Sequence, residues 1–308
     1  MRDVSLESTR WTSWTKAVPG SQYPSLRSPK VFSCEPVWGV LVGVRDGCMT
    51  LGAGPELYRV DAGAVSARGH RLGPEELDPA ARERIRELTS DRPGRDRIRE
   101  ILLLADLTGF SSAGAAELLR DDVRSEEWRV GEALAEAYLL DNHRCLFPWR
   151  SRWDLRNPRG VPPGADLVGF YEDGQESRFA FGEVKTSAQG DHPSVMRGEG
   201  GLPAQIIDLR DRADLRRWLV QYLTLRAQGQ PWWDRFKAAL TAFFRNPRDF
   251  VIFGVLVREA APNPTDLANC ATKVADGCPT ETRIHLRGLY LPPGFLKSFL
   301  SPLGGAAA

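Results

Sequence analysis

The sequence predicts an α/β protein with a β-rich and helical region ahead of its main domain. Two patterns carry that prediction. Over residues 128–291, apolar runs of strand length closed by turn residues alternate with long helical stretches, in the order helix, strands, helix, strand. Ahead of residue 125, short Gly-rich apolar runs give way to charged helical stretches. The chain has 308 residues, 42% of them hydrophobic, which is material for a sizeable core and, at about 150 residues per domain, about two domains. The expected division is an accessory region over 1–125, a second domain over 126–300 and a Gly-Ala tail over 301–308.

The first thirty residues have no period and read as an extended arm. Residues 40–44 and 48–51 read as two strands joined at Asp46-Gly47, and a third strand is expected at 57–60. Pro74-Glu75-Glu76-Leu77 opens a charged helical stretch, and Ile98, Ile101, Leu102 and Ala105 have amphipathic spacing. The two helical patterns around Thr108-Gly109-Phe110, within residues 105–120, read as ordinary packing rather than a helix-turn-helix. Val130, Leu134, Ala137 and Tyr138 then mark one face of a helix over 128–143. An Arg- and Pro-rich connection over 144–163 leads to a strand at 164–170, a turn at Asp173-Gly174 and a second strand at 178–185. After a polar loop over 186–201 come one long helix over 204–226, another over 232–244, and strands at 250–257 and 282–291.

Composition excludes several classes. Forty-one basic against 40 acidic residues leave a net charge of +1, so any attraction to nucleic acid must be local. The longest apolar runs, at 36–44 and 251–257, are far below the roughly 20 residues of a spanning helix, and Met1-Arg2-Asp3-Val4-Ser5-Leu6-Glu7 has no secretory character. A cytoplasmic protein without a membrane partner is expected. The five cysteines contain no Cys-x-x-Cys pair and read as free thiols rather than as a disulfide or zinc framework. No phosphate loop is present, Gly52-Ala53-Gly54 lacks the third glycine of a dinucleotide loop, and Gly109 to Gly114 is not a nucleophile elbow. The four histidines have no metal-ligand spacing and read as scattered, with His192, after the 178–185 strand, the lesser alternative as a residue facing the chemistry described next.

Asp166 lies on the first strand of the 164–185 pair, and Glu183 and Lys185 lie on the second. Positions i and i+2 share a face of a strand, so Glu183 and Lys185 point together and the neighbouring strand brings Asp166 beside them. Two carboxylates and an ammonium at a sheet edge suit a divalent cation that prefers hard oxygen, Mg2+ or Mn2+. The helix ahead of the sheet offers Glu132 and Glu136. Gly131 favours Glu132 by allowing a close approach, and Glu136 stays open as the alternative. Arg150, Arg152 and Arg156, interleaved with Trp149 and Trp153, are candidates for holding phosphates and stacking a base, with a solvated loop as the equal alternative. Arg210, Arg212, Arg216 and Arg217, mixed with Asp208, Asp211 and Asp214, read as an exposed salt-bridged face.

Gly164-Ala165-Asp166, sixteen intervening residues and Glu183-Val184-Lys185, after an acidic helix and before a helix and strand, resemble the PD-(D/E)XK nuclease superfamily. The resemblance covers about residues 128–291 as an order of elements. It implies a restriction-endonuclease-like αβββαβ core and metal-dependent phosphodiester hydrolysis, with DNA favoured over RNA. It further implies that Asp166, Glu183 and the Val184 carbonyl hold the metal, that Lys185 positions or activates water, and that Glu132 assists. The Pro-Asp pair is displaced here, since Pro162-Pro163-Gly164-Ala165 precede Asp166, and the helix Gln-Tyr pair of helicase-linked members is reduced to Gln205, with Leu209 four residues on. By family-level analogy, a nuclease without its own motor resembles effectors of anti-phage systems such as the Hachiman type, whose partner is a separate helicase or ATPase. A non-catalytic nucleic-acid- or partner-binding module is the rival expectation.

Overall fold

The computed structural model describes residues 51–90, 96, 98–102, 126–148, 164–174, 176–190 and 192–300. The N-terminal arm, the strand pair expected over 40–51 apart from Leu51, the two-helix piece at 105–120, the connection at 149–163 with Arg150, Arg152 and Arg156, and the tail lie outside these residues. The chain divides into two compact units, Met1–Gly43 and Val44–Ala308. Every element below belongs to the second.

The strands are β1 (Glu56–Ala62), β2 (Val65–Arg71), β3 (Cys145–Leu146), β4 (Leu167–Asp173), β5 (Glu176–Ser187), β6 (Val251–Arg258) and β7 (Arg283–Tyr290). The helices are α1 (Pro79–Ser90), α2 (Glu127–Asn142), α3 (Leu202–Asp211), α4 (Ala213–Ala227), α5 (Trp233–Arg245), α6 (Thr265–Ala275) and α7 (Phe295–Leu300). All seven strands form one mixed sheet in the order β1-β2-β7-β6-β5-β4-β3. Strands β2, β7, β6 and β5 run parallel, and β1 and the β5-β4-β3 meander pair antiparallel.

Strand β6 is buried along its whole length, which explains its unbroken apolar run: it is covered on both faces. On one face Phe170, Phe179, Phe181, Ile206, Leu219, Phe236 and Leu267 form a core with α3 to α6. On the other, Val130, Leu134, Tyr138, Ala180, Val184, Phe253 and Leu289 pack with α1, α2 and α7. Gly254 of β6 admits α3, because a Cβ there would lie 2.4 Å from Ile206 Cδ1.

Strand β2 pairs with β7 along its whole length, and Arg84 of α1 is ion-paired to Asp141 of α2 at 2.6 Å. Two expectations change. The helix expected over 204–226 is two helices, broken at Arg212, where ψ is 97°. The break lets Arg216 donate to the Leu209 and Arg210 carbonyls at 2.9 and 2.5 Å and satisfy the end of α3. Arg216 is therefore buried, at 6% exposure, and Arg210, at 9%, is held by the Val274 and Asp276 carbonyls, while Arg212 pairs with Asp214 at the surface as expected. Cys145 and Cys270 are buried free thiols and Cys278 is a half-buried one. Among the described residues, no helix is long and apolar enough to cross a membrane.

Candidate active site

The site forms where β4 stops short of β5. The ladder between them ends at Leu167 opposite Gly182, and β5 runs on to Ser187 with β6 alone. Asp166, one residue ahead of β4, donates its own N–H to the Gly182 carbonyl at 2.9 Å and accepts the Val184 N–H on Oδ2 at 2.7 Å. Its carboxylate thus occupies the place of the next ladder partner, on a backbone edge that would otherwise be unpaired. Because the Val184 N–H points to the β4 side, its carbonyl is directed to the same side.

Side-chain faces follow from the strand period. Phe179 and Phe181 point into the α3–α5 core, and Glu183 and Lys185 continue that row, while Ala180 and Val184 face α2. Glu183 is 4% exposed, and its Oε1 accepts from Lys185 Nζ at 2.9 Å. Glu132 belongs to α2 on the other face. Gly131 brings that helix onto the protruding end of β5, since a Cβ at Gly131 would meet Thr186 Oγ1 at 1.9 Å.

Burial, with the Asp166 charge second, pushes the Glu183 carboxyl up to about 8, against Lys185. Glu132 is pushed up to about 9 by burial and then by Asp166, with Glu183 raising it further and Arg129 and Lys185 opposing. Burial also raises Asp166, against the Val184 amide and Lys185. The centre is thus an acid-rich pocket short of positive charge. Of the two helix carboxylates, Glu132 interacts with Asp166, Glu183 and Lys185; Glu136, one turn on, is buried at 6% exposure.

Asp166, Glu183, Val184 and Lys185 are therefore together, and Glu132 lies within electrostatic reach. His192 sits in the loop between β5 and α3, and among the described residues no hydrogen bond or ion pair ties it to Asp166, Glu183 or Lys185. Gln205 lies on α3, and its buried Oε1 has no hydrogen-bond partner among the described residues. Sequence reasoning did not find Arg258. At 1% exposure it pairs with the fully buried Asp266 at 2.6 Å, and its Nη2 donates to the Gln189 and Gly190 carbonyls, fixing the chain just beyond Ser187. Arg258 closing the apolar β6 run was the available signal.

Among the described residues, no three His, Cys, Asp or Glu side chains converge into a set that holds a metal by itself. The oxygen donors present are the carboxylates of Asp166 and Glu183 and the Val184 carbonyl, a hard set whose raised carboxyls would lose their protons to a divalent cation. Neither a protein-family model nor a curated protein sequence matches this chain.

Proposed function

We propose that the protein is a metal-dependent nuclease with a restriction-endonuclease-like core, acting on DNA in preference to RNA. One observation carries the reading: Asp166 is drawn to the Val184 amide at 2.7 Å beside a Glu183–Lys185 pair at 2.9 Å, on a strand end that outruns its neighbour. The order around it, α2, the β3-β4-β5 meander, helices and then parallel β6, agrees with the αβββαβ plan.

Asp166, Glu183 and the Val184 carbonyl would hold Mg2+ or Mn2+, with Glu132 in support. When bound, the cation supplies Lewis acidity and a lowered pKa for water. The protein's own part is positional. The Val184 N–H fixes the Asp166 carboxylate, and Lys185 Nζ, whose side chain is 19% exposed, holds a water and offsets negative charge developing on a phosphate. Arg258 anchors the loop that borders the site. A separate helicase or ATPase is a proposed partner.

The second reading, a non-catalytic binding module, draws on the lack of a converged three-side-chain metal set among the described residues. Purified protein incubated with supercoiled plasmid, linear duplex, single-stranded DNA and RNA, with Mg2+, Mn2+ or chelator, separates the two. Metal-dependent cleavage that disappears in Glu183→Ala/Lys185→Ala establishes the nuclease. No cleavage together with no Mg2+ or Mn2+ binding establishes the module.

A further inference from the structure

A second polar cluster lies on the α2 side of the β2–β7 ladder and shares no residue with the candidate active site. Ser66 and Arg68 of β2 stand beside His285 and Arg287 of β7, in register. His143, just past the end of α2, closes over them, its ring 6.2 Å from that of His285. Arg287 is 4% exposed and makes no ion pair among the described residues. Its Nε donates to His143 Nε2 at 3.0 Å and its Nη1 to the Ser66 and Leu286 carbonyls at 3.1 and 2.8 Å, while no hydrogen bond from a described residue engages Nη2. A buried cation without a counter-charge is costly, and neutral acceptors do not replace the missing anion.

Two further buried nitrogens near it lack a hydrogen bond among the described residues. His285 Nδ1 is hydrogen-bonded to Ser66 Oγ at 2.9 Å, which with the hydroxyl donating places the imidazole proton on Nε2, and that Nε2 is buried without a partner among the described residues. Arg68 Nη1 is also buried without a hydrogen bond there, but it is ion-paired to Glu56 Oε2 at 3.7 Å, and Nη2 lies 3.9 Å from Asp61 Oδ1. His285 and Arg287 are i and i+2 on one strand, about 7 Å apart along it, a span that one tetrahedral oxyanion with a donor on each side fills. The Arg68 side chain, on the strand next to edge strand β1, is 21% exposed.

We propose that Arg287, His285 and Arg68 form an oxyanion-binding site for a phosphate-sized anion. Arg287 Nη2, His285 Nε2 and Arg68 Nη1 supply the donors, and the anion provides the counter-charge that Arg287 lacks. Glu56 and Asp61 face Arg68 from outside and oppose entry of the anion, so the two β7 residues carry most of the affinity. Burial and then the Arg287 charge hold both His143 and His285 down to about 3, so neither ring adds a charge there at neutral pH. The site is independent of the nuclease reading.

Calorimetric titration of the full chain with inorganic phosphate, at ionic strength matched with chloride, tests it. The titration is run in the Asp166→Ala/Lys185→Ala background, so that the candidate active site contributes no phosphate binding. Sulfate and acetate arms separate tetrahedral from carboxylate ligands. One saturable phosphate site is expected, weakened about tenfold or more by Arg287→Gln. His285→Phe, which removes the Nε2 donor and keeps an aromatic ring beside Phe253, should also weaken it and serves if Arg287→Gln does not fold. Absence of saturable binding up to about 10 mM phosphate would overturn the proposal. So would unchanged affinity in both variants.

Discussion

Gly131 and Thr186 touch where α2 crosses the free end of β5: a Cβ on Gly131 would lie 1.9 Å from Thr186 Oγ1, 3.1 Å from its Cβ and 3.2 Å from its Cγ2. The 1.9 Å contact cannot persist, so Gly131→Ala must shift Thr186 or the helix. Alanine recovers about 1 kcal/mol of helix propensity, but overpacking costs about 1–3 kcal/mol, so a net loss is expected. Denaturant unfolding should show it, and Thr186→Ala, which removes Oγ1 and Cγ2, should restore part of it. Because Glu132 is the next residue, the single variant should also lose metal affinity; unchanged stability and affinity would refute the close contact.

The dependence of stability on pH should have two arms. Glu132 and Glu183, raised to about 9 and about 8, contribute stability that is complete below the unfolded carboxylate value and is lost as pH rises toward those figures. His143 and His285, held near 3, contribute stability that is complete above the unfolded histidine value of about 6.5 and is lost as pH falls toward 3. The two slopes oppose each other between about 4.5 and 6.5, leaving a plateau with declines on both sides at roughly 1.4 kcal/mol per pH unit per group at most. Chemical denaturation from pH 3 to 9 measures this. Glu183→Gln should flatten the alkaline arm and His285→Phe the acid arm, and identical profiles for all three proteins would count against it.

The grouping of the candidate site residues was more legible than its surroundings. Asp166, Glu183 and Lys185 could be placed together because a strand period of two is a local property, and Gly131 pointed to the close helix for the same reason. Pairing of β2 with β7, across more than two hundred residues, leaves no local trace, so residues 56–71 read as a separate region. The break at Arg212 has no Gly or Pro to announce it, and it depends on Arg216 reaching back to the α3 carbonyls. Helix α6 was readable and was missed: Leu267, Cys270, Ala271 and Val274 have helical spacing, and Asn263 Oδ1 accepts the Thr265 N–H at 3.0 Å, near the start of the helix.

Arg258 and Asp266 form a buried pair that should be costly to halve and less costly to replace whole. Tyr290 also donates to Asp266 Oδ2, at 2.9 Å, so Arg258→Met leaves a buried carboxylate with one neutral donor there and strips the Gln189 and Gly190 carbonyls of theirs. A loss of about 3–5 kcal/mol is expected for Arg258→Met, with a smaller loss for Arg258→Met/Asp266→Leu. Denaturant unfolding of the two proteins checks it. If the pair only stabilises the fold, the double variant should cleave nucleic acid like the parent; if it also positions the loop after Ser187, stability should recover further than cleavage does.

Binding of Mg2+ should depend steeply on pH, because the cation must displace protons that burial and mutual repulsion hold on Glu183 and Glu132. Affinity should rise from pH 6 to pH 9, by up to about tenfold per pH unit for each proton released. Calorimetry in buffers of different ionisation enthalpy would count those protons. In Asp166→Asn the Glu183 carboxyl loses the neighbouring charge that helps to raise it, so its pKa should fall and fewer protons should be released, even as the lost ligand weakens binding. The amide side chain in that variant would still offer an oxygen to the Val184 N–H, so the strand end should keep its geometry. Mg2+ affinity that is flat with pH would place the cation elsewhere, and no Mg2+ or Mn2+ binding at any pH would leave the fold as a binding module.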